Sequence, residues 1–72
     1  MMVSLTGSEL RKLRLAAGWS QSRVADLAEC GLRSVMRWEG TRKAPNKEPV
    51  PLHTLVIAHV KAVLESEAAR RK

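Results

Sequence analysis

The sequence predicts an all-α chain, a small bundle of four or five helices. Apolar residues recur at three- and four-residue spacing in four separate stretches, the period of a helix with one buried face. Residues that end helices fall between those stretches: Gly18, Gly31, Gly40 and the three prolines Pro45, Pro49 and Pro51. Finally, 72 residues allow only one small domain, near the lower limit at which a core forms without disulfide or metal staples. Residues 1–72 are therefore read as a single unit, with two short helices over 20–39, a basic loop over 40–50 and a last helix over 51–69.

The first helix is expected over residues 8–17. Thr6 or Ser8 stands near its cap, and Glu9 suits the positive end of the helix dipole. Leu10, Leu13 and Ala17 make its inward stripe, punctuated by Arg11, Lys12 and Arg14, and Gly18 is placed to terminate it. Ser20 can cap the next helix, since its hydroxyl accepts from backbone N–H groups that lack an intrahelical partner. That helix runs from Gln21 to Ala28, with Val24, Leu27 and Ala28 buried and Ala25 small enough to let a neighbour approach. Glu29, Cys30 and Gly31 form a tight connection. A third helix begins near Leu32, with Val35 and Trp38 inward and Arg33, Ser34 and Arg37 on other faces.

After Gly40 the prolines exclude helix, so residues 41–51 are a loop carrying Arg42, Lys43 and Lys47. The last helix is expected from Pro51, a residue suited to a first turn, to about Ala69. Leu52, Leu55, Val56, His59, Val60, Val63 and Leu64 form its apolar face, and Ile57 falls outside it. A helix apolar over more than half its circumference exceeds what a small monomer exposes. The surplus at Leu52, Leu55, Val56, Ile57 and Val60 reads as a homodimer interface; the alternative is that the helix caps a monomer core.

Composition narrows the function classes. A net charge of +6 points to a polyanionic partner, nucleic acid being the commonest. The charge is uneven: residues 33–48 carry five basic side chains against two acidic, whereas residues 20–29 carry one against two. No apolar run could cross a membrane, and the first ten residues lack the layout of a signal peptide, so a cytoplasmic protein is expected. A lone cysteine excludes an internal disulfide and the usual zinc clusters. His53 and His59 are out of phase for a shared metal, and no catalytic constellation is visible. The expectation is a non-enzyme with no cofactor and no metal. Trp19 and Trp38 could stack on single-stranded bases, but in a small helical domain they read as core.

Two short helices, a turn with glycine and a basic outward face on the second helix make the helix-turn-helix pattern. The order Gln21, Val24-Ala25, a turn, Val35, Arg37-Trp38-Glu39 and Gly40 closely resembles the lambda-repressor/Cro-type (XRE-like) family. The resemblance covers roughly residues 8–45 and needs no gap between Gln21 and Glu39. Two positions depart from it. The family's turn glycine falls on Glu29, and its recognition-helix cap, normally Ser or Thr, falls on Gly31. The resemblance implies that Leu32, Arg33 and Arg37 face bases while Gln21, Ser34, Arg42 and Lys43 hold phosphates. Arg33 and Arg37 can fork onto guanine O6 and N7; Leu32 either meets a thymine methyl or supports the helix. It also implies an ion pair between Arg14 and Glu39. The expected function is a compact repressor of phage or mobile-element type, binding an inverted-repeat operator in double-stranded DNA as a homodimer. Two rivals stand beside it: an antitoxin-like module that neutralises a partner protein, and a basic protein binding RNA or DNA without sequence preference.

Overall fold

Thr6 opens the fold with a reciprocal cap. Its hydroxyl accepts from the Glu9 amide at 3.1 Å, and the Glu9 carboxylate accepts from the Thr6 amide at 3.2 Å. Helix α1 (Gly7–Ala17) follows and closes on Gly18, whose left-handed φ of 71° lets the chain turn back on itself. There the Gly18 amide donates to the Leu15 carbonyl and the Trp19 amide to that of Arg14. Ser20 then caps α2 (Gln21–Leu27) by accepting from the Arg23 amide. Helix α3 (Leu32–Glu39) and the long α4 (Thr54–Arg70) complete the chain. The computed structural model describes residues 4–41 and 43–71, and among these the protein is all-α, with four helices and no strand.

α1 packs along α4 and also touches α3, while α2 packs on α3. Leu10, Val24, Val35, Val60 and Leu64 fill the space between them. Ala25 is buried on α2, as a close approach to α3 requires. Four core residues come from outside the helices: Leu5, Trp19, Ala28 and Val50. Leu5 and Val50 lie side by side, with the Val50 amide donating to the Leu5 carbonyl at 2.8 Å. The same strap continues as Gly7 and Ser8 amides donate to the carbonyls of Glu48 and Asn46. These are first-turn donors that no intrahelical carbonyl can satisfy, so the loop completes the start of α1.

The last helix differs from its sequence reading in two ways. It starts at Thr54, not Pro51, and His53 caps it, Nδ1 accepting from the Leu55 amide at 3.1 Å. The strap explains the delay, because residues 49–50 run extended along the N-terminal segment before the chain can coil. Its buried stripe is Ile57, Val60 and Leu64. Ile57 and Val60 are thus core residues of the monomer and cannot be a dimer surface. Where a helix is apolar on nearly every side, spacing alone does not choose the buried face; here the fit against α1 does. No helix among the described residues is long and apolar enough to cross a membrane.

Candidate nucleic-acid interface

α3 is held at its C-terminal end by a buried charge. Glu39 has 0 % exposure, and Arg14 grips its carboxylate with both edges of the guanidinium, Nε to Oε2 at 2.8 Å and Nη2 to Oε1 at 2.9 Å. The remaining Nη1 donates to the Trp19 carbonyl at 2.9 Å. One arginine on α1 thereby joins the end of α3 to the segment leading into α2. The fork geometry fixes orientation as well as distance. Gln21, expected at a phosphate, turns its amide to Glu39 Oε1 at 3.4 Å and so belongs to this clamp. No buried side-chain nitrogen or oxygen among the described residues lacks a partner.

With Val35 and Glu39 inward, the opposite face of α3 is free. Arg33 and Arg37 are exposed along it, Met36 and Leu32 are exposed on the flank beside them, Leu32 where the helix begins, and Ser34 is half-buried at the other edge. Neither Arg33 nor Arg37 joins an ion pair among the described residues. Met36 was not among the expected site residues, although its spacing signals it: four residues beyond Leu32 and three beyond Arg33. Both departures from the resembled pattern are visible in the geometry at the start of this helix. Glu29 takes a left-handed φ of 54°, the conformation for which glycine is suited, and Gly31 caps α3 with no side-chain hydrogen bond.

The loop after α3 is pinned rather than loose. Thr41 and Ala44 close a tight turn, the Ala44 amide donating to Thr41 Oγ1 at 2.9 Å. Asn46 is its hub: Nδ2 donates to the Arg37 carbonyl, Oδ1 accepts from the Glu48 amide, and its own carbonyl accepts from Ser8. Gly40 has φ 69° and ψ −150°, and a Cβ there would meet the Ala44 carbonyl, so the exit from α3 demands glycine. Lys43 projects into solvent at the turn, while Arg42 lies outside the described residues. Trp19 is buried with the Arg23 guanidinium 4.0 Å from its ring centre, and Trp38 packs half-buried against the core. Burial pushes the Cys30 thiol up from its ordinary value.

What remains apolar and exposed on α4 is narrower than the sequence indicated. Leu55 is 74 % exposed, and Leu52 and Val56 are half-buried. Leu55, Val56 and His59 line an open groove together with Asp26, Leu27, Ala28 and Glu29. No known protein family, curated protein or solved structure matches this chain.

Proposed function

We propose that the protein is a small DNA-binding regulator that reads double-stranded DNA with the outward face of α3, α2 and α3 serving as its helix-turn-helix. The observation that carries this is the division of α3 into two faces: one locked by Val35 and the Arg14–Glu39 clamp, the other exposing Arg33 and Arg37, neither in an ion pair among the described residues. A rigidly seated helix about 10–12 Å across, with cations facing outward, fits the major groove. Arg33 and Arg37 are assigned to guanine edges, and Lys43, with Ser34 at the helix edge, to phosphates. Arg42 joins them on the resemblance alone. The resemblance further favours a compact repressor.

One α3 covers too few base pairs to select a genomic site, so a twofold dimer on an inverted repeat is part of the proposal. Leu52, Leu55 and Val56 are the residues of the expected interface that remain to support it. Selection of bound duplexes from a random pool tests the whole reading. An inverted repeat with half-sites roughly 34–36 Å apart is the expected product. Recovery of unrelated sequences with steep salt dependence alone would replace it with nonspecific binding. A second reading, an antitoxin-like module for a partner protein, draws on the Leu55 groove. In that case capture of the partner would survive loss of Arg33 and Arg37.

A further inference from the structure

Beside its outward row of arginines, α3 also exposes apolar surface on one flank. Leu32 is 44 % exposed and Met36 50 %, two of the four large apolar side chains the described residues leave open. They stand one turn apart, roughly 6 Å along the axis, beside the parallel row of Arg33 and Arg37. We infer that this ridge reads the 5-methyl groups of pyrimidines, in thymine or 5-methylcytosine, next to guanines held by the arginines. The inference rests on the DNA-binding reading and names the chemistry that the same face selects.

The argument is one of exclusion in the major groove. Base edges there present acceptors, amino donors and one apolar group, the methyl at C5. Neither Leu nor Met can donate a hydrogen bond, and a thioether accepts only weakly. Pressed against N7, O6 or an amino group, they would strip water and return no partner, which costs binding. Pressed against a methyl, they gain by burial. The ridge is long enough to span about two base-pair steps of 3.4 Å. Methionine's unbranched, adaptable side chain suits contact with a methyl whose position shifts with local DNA shape. Docking of a second copy on this ridge is disfavoured, because Arg33 and Arg37 beside it would face a chain of net charge +6.

The test uses the full chain and the duplex recovered from the random pool. Each thymine of the half-site is replaced singly by deoxyuridine, which removes the methyl and nothing else. Wild type should bind about fourfold more weakly for each contacted methyl. Met36→Ala or Leu32→Ala should bind the thymine and uracil duplexes equally at the position its side chain touched. Both residues are exposed, so unchanged circular dichroism is expected of the variants. If the recovered half-site carries cytosine before guanine instead, methylation at C5 should tighten wild type by a similar factor and leave Met36→Ala unmoved. A specific half-site indifferent to uracil and to cytosine methylation overturns the methyl-reading while leaving DNA recognition standing. A pool that yields no preferred sequence overturns both.

Discussion

The two ends of α3 are built by opposite rules. At the C-terminal end every element is over-determined: Glu39 is buried in a fork from Arg14, Gly40 occupies a backbone region closed to other residues, and Asn46 ties the Arg37 carbonyl to the loop. α1 presses on the same place, since a Cβ on Gly7 would collide with the Trp38 carbonyl. At the N-terminal end, Glu29 sits in a glycine conformation and Gly31 offers the helix no side-chain cap. The bundle thus grips α3 by its tail, and the connection into its head, where Leu32 and Arg33 lie, carries the local strain. One eight-residue helix is tightly fixed at its exit and loosely specified at its entry, while the arginines proposed to read DNA, Arg33 and Arg37, run along its length.

Breaking the anchored end should have the largest effect. Glu39→Ala leaves the Arg14 guanidinium without its carboxylate in a nearly closed site, and one-sided loss of such a pair costs about 3–5 kcal/mol. For a domain this small that is a large share of its stability, and thermal melts should show Glu39→Ala shifted far down or unfolded. A melt matching wild type would mean that the tail is not held by this pair. Next in size, Arg33→Ala and Arg37→Ala should each weaken specific DNA binding by about 1–3 kcal/mol with melts unchanged. Equal affinity at matched salt would overturn the reading role proposed for this face of α3.

The remaining two changes sharpen the contrast by repairing the head. Glu29→Gly relieves a left-handed residue, a conformation that costs roughly 1–2 kcal/mol, but glycine returns part of this as unfolded-state entropy. A net gain of about 0.5–1 kcal/mol is expected in chemical denaturation, and a loss would show that Glu29 is held by something stronger than its backbone. Gly31→Ser is smaller still. Its φ of −78° and ψ of 149° suit any residue, open space surrounds the Cβ, and a serine cap should add a few tenths of a kcal/mol.

The contrast also marks what the sequence could reveal. Caps and stops were legible because their chemistry is local: Thr6, Gly18 and Ser20 act within a few residues of themselves. The Arg14–Glu39 pair came from resemblance, and the fork is present in the structure. What stayed hidden depended on distant chain. The strap that places Leu5 and Val50 in the core joins segments that no local pattern connects. It also moves the start of α4 to Thr54, and packing on α1 turns Ile57 and Val60 inward. Met36 is missed for a different reason: the expected base-facing residues follow the contacts that the resemblance implies, and none of those falls on Met36.

That strap and the pairing of α1 with α4 impose an order in time. The ribosome makes α1 first and its main packing partner last, at ~5–20 residues per second. Leu10 and Ala17 therefore wait uncovered on the order of seconds before Val60 and Leu64 exist to meet them. α1 thus spends that interval without the helix it packs on, and slowing translation after Gly40 should lengthen the interval in proportion.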